Sequence, residues 1–157
     1  MSFLERTTEV RALRHWEVDM SVDYIYTSGV AGERFFSALR DEGRLLAAKC
    51  TSCNESQLPP QMFCEACFSP LTEFVDAPLA GKVAAITTTH VDRLGNPLAS
   101  PASFAFVTFQ GVSRGGLVHR LLAPPDQIRP GMAVRVRLKP RAERAGTILD
   151  IEGFEAA

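Results

Sequence analysis

Four cysteines, arranged as two Cys-x-x-Cys pairs, constrain the fold of this chain more than any other feature. Cys50 and Cys53 form the first pair, Cys64 and Cys67 form the second, ten residues separate the pairs, and the chain has no other cysteine. Two such turns at the ends of a short hairpin place four thiolates at tetrahedral positions, as a closed structural Zn²⁺ site requires. Because every cysteine is used, the spacing predicts a zinc ribbon rather than a lone redox motif.

Other uses of the cysteines have to be weighed against zinc. An iron site with four cysteine ligands has the same spacing and stays an alternative, as do unmetallated thiols. Disulfides fit poorly, because nothing marks the chain as secreted and a bridge within Cys-x-x-Cys is strained and easily reduced. A four-thiolate site has no open position, so the sequence predicts a structural metal and no cysteine nucleophile.

Length and composition indicate a soluble globular protein. With 157 residues, 46% hydrophobic and 22% charged, the chain has room for one ordinary domain or two small ones. The chain becomes charged at Glu5 and Arg6 and shows no apolar region of a secretory signal there, and no apolar run is long enough to cross a bilayer. We therefore expect a cytoplasmic protein without a membrane segment. Residues 1–80 hold 7 Lys/Arg and 12 Asp/Glu, a balance of −5, whereas residues 81–157 hold 10 and 6, a balance of +4. This excess of cations is too small for a general nucleic-acid binder.

The chain divides into three predicted parts, which together make a mainly β protein. Residues 1–43 form an N-terminal arm and a helix, residues 44–77 a rubredoxin-like zinc ribbon, and residues 78–157 a barrel. The helix is predicted for residues 31–42, because Phe35, Phe36 and Leu39 form an apolar stripe and Gly43 is a typical residue just beyond a helix end.

Five strand-like runs follow the ribbon. They are Lys82–Val91, Ser103–Phe109, Gly115–Leu122, Met132–Leu138 and Thr147–Phe154. Five short antiparallel strands in about 75 residues are expected to close into a barrel, because closure removes exposed strand edges. The commonest five-stranded barrel is the OB-fold, which we therefore predict for this part.

The order of these motifs resembles one family. Phe35-Phe36, the two cysteine pairs, Leu58-Pro59-Pro60, Gly81-Lys82-Val83, Gly131-Met132-x-Val134 and Gly153-Phe154 follow one another as in the zinc-ribbon/OB-fold proteins associated with acyl-CoA enzymes, long catalogued as a domain of unknown function. The resemblance covers residues 24–155. It implies an accessory subunit that stabilises a thiolase-fold catalytic partner, or an enoyl-CoA hydratase, and helps to form its CoA channel. The arm is similar to that of the branch that accompanies thiolases.

The chain departs from that family pattern at three positions. Asn54 and Phe68 stand where the family often has glycine after the second cysteine of each pair, and Gln61 stands where it often has arginine. Asn tolerates the left-handed backbone conformation that such a position requires, whereas Phe does so at a higher cost. The loss of the arginine removes a cation that would suit a phosphate.

Two groups of residues are candidate binding sites. The aromatic residues of the arm and helix are predicted to bind the partner, since aromatics are the usual anchors of an interface; an arm folded back on its own domain explains them equally well. They are Trp16, Tyr24, Tyr26, Phe35 and Phe36. The cationic row Arg135, Arg137 and Lys139 is a candidate for CoA phosphates or acidic partner residues, or is an ordinary solvated face.

No catalytic motif is visible in the sequence. His15, His90 and His119 are scattered, and no nucleophile lies beside any of them in a recognised pattern. We therefore expect a non-catalytic subunit. The alternative is a single-stranded nucleic-acid-binding OB-fold, but Phe104, Phe106 and Phe109 do not alternate with cations as that function requires.

Overall fold

A computed structural model describes residues 9, 11, 26–92, 94–124, 127 and 129–157 of the chain. Within these ranges the structure has one α-helix and nine strands, and short 3₁₀ turns lie at Arg141–Glu143 and Ile148–Asp150. The helix is α1 (Gly29–Asp41), and the strands are β1 (Leu45–Lys49), β2 (Ser56–Leu58), β3 (Glu73–Ala77), β4 (Ala80–Val91), β5 (Pro97–Phe109), β6 (Arg114–Gly115), β7 (Leu117–Arg120), β8 (Ala133–Leu138) and β9 (Ile151–Ala156). No helix in these described ranges is long and apolar enough to cross a membrane.

Helix α1 covers one side of the ribbon with its apolar face. Its buried residues are Ala31, Phe35, Ala38 and Leu39, which recur at helical spacing. The helix ends at Asp41, and the left-handed backbone of Gly43 just beyond it (φ 69°) lets the chain reverse into β1. Arg144, from the far end of the chain, donates hydrogen bonds to the carbonyls of Leu39 (3.5 Å) and Lys139 (2.8 Å), so it joins the helix end to the segment after β8.

The ribbon is a four-stranded sheet in the order β3-β1-β2-β6. The first three strands are antiparallel, as a zinc ribbon requires, and β1 pairs with β3 along its whole length from Leu45 to Lys49. The fourth strand was not predicted. Residues Arg114 and Gly115 leave the barrel and pair in parallel with Gln57 and Leu58, so the ribbon sheet continues into the barrel segment.

The barrel has the predicted five strands, in the order β7-β5-β4-β8-β9. A parallel bridge between Leu121 and Phe154 connects the two end strands, and the Leu122 N–H donates to the Phe154 carbonyl at 2.9 Å. The sheet therefore closes on itself with its third and fifth barrel strands parallel, which confirms the OB-fold. The predicted run Thr147–Phe154 is not one strand, because Thr147 begins a 3₁₀ turn and β9 starts at Ile151.

One hydrophobic core runs through all three parts of the chain. It contains buried residues of the helix (Phe35, Leu39), the ribbon (Leu45, Ala47, Leu58, Ala77) and the barrel (Val83, Ala105, Val107, Phe109, Leu117, Leu121, Val134, Val136, Ile151, Phe154). A second, smaller cluster lies at the metal end of the ribbon and consists of Ala48, Cys50, Cys64 and Leu71, with Phe74 packed against it. The segments predicted as separate units thus share their apolar interior.

Candidate metal centre

The two cysteine pairs meet at one point at the end of the ribbon. All four sulfur atoms lie within 4.8 Å of one another. Cys50 Sγ lies 3.6 Å from Cys67 Sγ, and Cys53 Sγ lies 3.5 Å from Cys64 Sγ. Four sulfurs bound to Zn²⁺ at about 2.3 Å in a tetrahedron are about 3.8 Å apart, so the site has nearly the size that the metal requires. Cys50 and Cys64 are buried, whereas Cys53 and Cys67 are exposed.

Each cysteine pair forms the same tight turn. The Asn54 N–H donates to the Cys50 carbonyl, and the Phe68 N–H donates to the Cys64 carbonyl, both at 2.9 Å. Closing these turns puts Asn54 at φ 62° and Phe68 at φ 60°, in the left-handed region that favours glycine. Both residues thus take the left-handed conformation that glycine adopts easily, including Phe68, for which it is more costly.

Gln57 supports the second cysteine turn from inside the ribbon, a role that the sequence did not reveal. Its side chain is 2% exposed. Its amide nitrogen donates to the Phe63 carbonyl and its amide oxygen accepts from the Glu65 N–H, both at 3.2 Å. These two bonds hold the backbone on either side of Cys64. The only sequence signal was a polar residue next to the apolar Leu58, which fits a solvent-facing residue equally well.

The surroundings favour different protonation states for different thiols in the absence of a metal. The Ser69 hydroxyl, 3.4 Å from Cys67 Sγ, and the Ser69 backbone lower the pKa of Cys67 to about 6. At Cys53, the Glu55 backbone lowers the pKa, but desolvation and the three neighbouring cysteine side chains outweigh it and raise the pKa to about 12. A bare site therefore keeps a proton on Cys53 at neutral pH, and metal binding must release it.

The metal end of the ribbon is tied to the barrel segment by hydroxyl groups. Ser56 is buried, and its hydroxyl donates to the Gly111 carbonyl at 2.7 Å. The Ser56 N–H lies 3.2 Å from the Ser113 hydroxyl, and the Ser113 N–H donates to the Ser56 carbonyl at 3.0 Å. Because Ser56 follows the first cysteine turn by two residues, these bonds join the cysteine end of the ribbon to the segment after β5.

The structure separates the aromatic residues predicted to bind a partner. Trp16 and Tyr24 lie outside the described residues. Tyr26 is 82% exposed at the start of the described arm. Phe35 is 1% exposed and belongs to the core, so the chain itself buries this side chain, and Phe36 packs half-buried against the same core. High aromatic content could not show which of these side chains point inward.

Arg135 and Arg137 of the cationic row lie on β8 as its alternating pattern predicts, with Val134 and Val136 buried on the other face, and Lys139 directly follows the strand. Arg137 is held by acidic residues of β9, since its guanidinium lies 2.6 Å from the Glu152 carboxylate and 3.6 Å from that of Glu155. Arg135 is exposed, and Lys139 is half-buried. The row therefore presents less free positive charge than its sequence indicates.

Neither of the two histidines in the described part of the chain lies in a recognisable acid–base pair. His90 is exposed near the end of β4. His119 is half-buried and packs edge-on against Phe154, with ring centroids 6.4 Å apart. Its Nδ1 is buried without a partner among the described residues, and desolvation lowers the pKa of His119 despite the opposing effect of the Ile148 backbone. His15 lies outside the described residues.

Comparisons with known proteins agree with this arrangement. The family described as ChsH2, rubredoxin-like zinc ribbon domain, matches residues 37–73. A protein of unknown function from the DUF35 family of Sulfolobus solfataricus is 24% identical, with a TM-score of 0.64 over 82% of this chain and 87% of that one. A chain of the Ltp2-ChsH2(DUF35) aldolase is 24% identical, with a TM-score of 0.58 over 78% of this chain and 91% of that one. No curated protein sequence matches.

The family match identifies the metal centre as a zinc ribbon, and the similar solved structures share the fold of both the ribbon and the barrel. The family match includes all four cysteines together with the end of α1, β1 and β2. The chain therefore has the zinc-ribbon/OB fold of the DUF35 structures, and its residues 37–73 are similar to the rubredoxin-like zinc ribbon domain of ChsH2.

Proposed function

We propose that this chain is a non-catalytic accessory subunit of an enzyme that acts on acyl-CoA thioesters, and that it binds and stabilises a thiolase-fold catalytic subunit. The observation that carries the proposal is the closed four-thiolate centre, which commits every cysteine of the chain to a structural metal. A metal without an open position activates neither water nor substrate. When bound, the metal supplies the fixed geometry of the ribbon, and the chain's own residues present that ribbon to a partner.

The fold similarity supports the same role. One of the similar structures is a chain of an assembly described as the Ltp2-ChsH2(DUF35) aldolase. The family that the sequence resembles consists largely of subunits that accompany thiolase-fold enzymes. A chain with a shared core, a metal-stabilised ribbon and exposed apolar groups at the ribbon end is suited to bind such an enzyme.

Direct CoA contact by this chain is a narrower part of the proposal. An open groove of 580 Å³ lies between β4, β5 and β8, and Lys82 is among its lining residues. Arg135 pairs across the strands with Ala80 at the side of this groove. We assign phosphate contact to Lys82 and Arg135 rather than to Arg137, which has carboxylate partners.

The geometry gives little support to the alternative function, binding of single-stranded nucleic acid. On the outer face of the barrel, Phe106 lies between Ala85 and Val118, and Phe104 lies between Thr87 and Arg120. Phe109 is buried in the core. A face that tracks a phosphate backbone needs repeated cations beside its aromatics, whereas this face is largely apolar around a hollow of 180 Å³.

Reconstitution with a catalytic subunit tests the proposed function. The chain is produced together with the thiolase-fold protein encoded nearest to it in the source genome, and the pair is purified through a tag on one member. We expect a stable complex of defined stoichiometry, with CoA-thioester turnover in the complex and none in the isolated chain. Turnover by the isolated chain, freed of contaminating enzyme, would refute the accessory role, and so would a failure to form any complex.

A further inference from the structure

We propose that the second cysteine turn carries a docking surface for the catalytic subunit, formed by Met62, Phe63 and Phe68 and here called the knuckle face. The occupant we assign is an apolar pocket on a thiolase-fold subunit, with Arg or Lys residues at its rim. This inference rests on the proposed function and names the part of the chain that makes the contact.

The knuckle face is exposed although its side chains are large and apolar. Met62 is 48% exposed, Phe63 57% and Phe68 80%. All three belong to a small hairpin around Cys64, in which Phe63 bridges to Pro70 and the Leu71 N–H donates to the Met62 carbonyl at 2.9 Å. Single exposed apolar residues are common on protein surfaces, but a group of three on one short hairpin indicates a binding surface.

The backbone at Phe68 gives a second, independent reason. Phe68 has φ 60°, a conformation in which a bulky side chain costs more than glycine. The corresponding residue of the first cysteine turn, Asn54, has φ 62° and is a residue type that tolerates this conformation. Since Phe68 is 80% exposed, its side chain gains little from burial within the chain. Neither the turn nor the core explains a phenylalanine here, whereas contact with another molecule does.

Charge determines the kind of pocket that fits the knuckle face. From Cys50 to Pro70 the sequence contains two glutamates and no lysine or arginine. Glu55 lies 3.7 Å from Arg114, whereas Glu65 is exposed on the second turn itself. Four thiolates around one divalent cation add a net negative charge beside it. An acidic surround with an apolar centre complements a pocket rimmed by cations and opposes binding to nucleic acid or to an anionic membrane.

A pair of matched variants tests the inference in the reconstituted complex. Phe68→Gly removes the aromatic side chain and also removes the cost of its left-handed backbone conformation. Asn54→Gly removes that cost at the equivalent position of the first turn and leaves the knuckle face intact. We expect Phe68→Gly to raise the Kd for the thiolase-fold subunit by at least about tenfold. The free variant should keep its zinc and melt at the same temperature as the wild type or higher. Asn54→Gly should leave the Kd unchanged.

Each other outcome overturns the inference in a recognisable way. An unchanged Kd for Phe68→Gly, with wild-type binding intact, removes the knuckle face from the interface and leaves the proposed function standing. Failure of the wild type to bind the subunit overturns both. If Phe68→Gly instead abolishes self-association of the free chain, measured by light scattering, the occupant is a second copy. A photo-crosslinking phenylalanine analogue at position 68 should label a partner surface containing Arg or Lys, and labelling of an acidic surface would contradict the assigned pocket.

Discussion

Gly115 lies directly against the backbone carbonyl of Leu58, at the place where the barrel segment joins the ribbon. A Cβ atom at position 115 would overlap the Leu58 carbonyl oxygen, and the N–H of the next residue, Gly116, donates to that oxygen at 2.8 Å. The close approach allows β6 to pair with β2. A Gly-Gly sequence that reads as a simple turn is therefore the contact that brings the metal-bearing ribbon onto the barrel.

Gly115→Ala should consequently destabilise the chain by well over the cost of the backbone conformation alone. The positive φ of 76° costs an alanine about 1–2 kcal/mol, and the overlap with Leu58 forces β6 away from β2. Gly95→Ala is the matched control, because Gly95 has φ 84° and open space where its Cβ would lie. Urea unfolding of both variants provides the measurement, and equal losses of stability would show that the junction does not depend on this contact.

Metal removal should affect the whole chain rather than the ribbon alone. We expect one zinc per chain by elemental analysis, and loss of that zinc in Cys64→Ser. Because ribbon and barrel share one core, the variant should unfold in a single transition at a lower temperature than the wild type. In amide NMR spectra, the signals of β4 and β5 should disappear together with those of the ribbon. Iron in place of zinc would contradict the metal assignment. A barrel that keeps its wild-type melting temperature would contradict the coupling.

Gln57→Leu should weaken zinc retention without removing a ligand. The substitution leaves the Phe63 carbonyl and the Glu65 N–H without their side-chain partners, at a cost of about 1–3 kcal/mol for a buried unpaired group. Zinc should therefore transfer to a chromogenic chelator faster from Gln57→Leu than from the wild type. Gln61→Leu provides the control, since the Gln61 side chain bonds the exposed Glu65 carboxylate at 2.6 Å and touches neither backbone group. Equal transfer rates for the two variants would refute the role of Gln57.

Asp150 should make a pH-dependent contribution to stability. Its carboxylate is 1% exposed and accepts the N–H groups of Ala145 (2.8 Å), Gly146 (2.7 Å) and Thr147 (3.3 Å). Desolvation opposes ionisation, but these bonds outweigh it and lower the pKa of Asp150. Since the folded-state pKa lies below the unfolded value of about 3.9, the stabilisation is complete above that pH and disappears as the pH falls through the folded-state pKa.

Asp150→Asn should therefore be less stable than the wild type at pH 7, by about 1–3 kcal/mol. The difference should shrink below about pH 4, because protonation removes the wild-type advantage. Urea unfolding across this pH range checks the expectation. Asp92→Asn, in an exposed turn with hydrogen bonds to Leu94 and Asn96, should show only a small difference. If the loss of stability in Asp150→Asn stays constant down to pH 2, the negative charge of Asp150 does not contribute to the stability.

The proposed CoA contact distinguishes two neighbouring arginines. Arg135→Ala should raise the KM for the CoA thioester in the reconstituted complex, because this side chain lies beside the groove that contains Lys82. Arg137→Ala should change the KM little, since its guanidinium already pairs with Glu152 and Glu155. Steady-state kinetics of the two complexes give the comparison. The reverse order of effects would place the phosphate contact farther along the same face of β8, at Arg137.

The sequence predicted those features whose cause is local and missed those that depend on distant contacts. The cysteine spacing predicts the ribbon, and the alternation around Val134 and Val136 predicts β8, because each pattern is set by its own few residues. The bonds of Ser56 to Gly111 and Ser113 join residues more than fifty positions apart and leave no local pattern. Phe35 and Phe36 are neighbouring phenylalanines that the sequence does not distinguish. Only their packing shows that Phe35 lies in the core and Phe36 is half-buried.

The closing bridge between Leu121 and Phe154 has a consequence for how the protein is made. Strand β9 is translated after the other eight strands of the described residues, so the barrel cannot close while the ribosome still holds residues 151–156 in its exit tunnel. The ribbon, by contrast, has all four thiolates once residue 67 has emerged. Zinc can therefore bind to the nascent chain while the apolar residues that the ribbon shares with the barrel are still exposed. During that interval we expect the bound metal to hold the ribbon together.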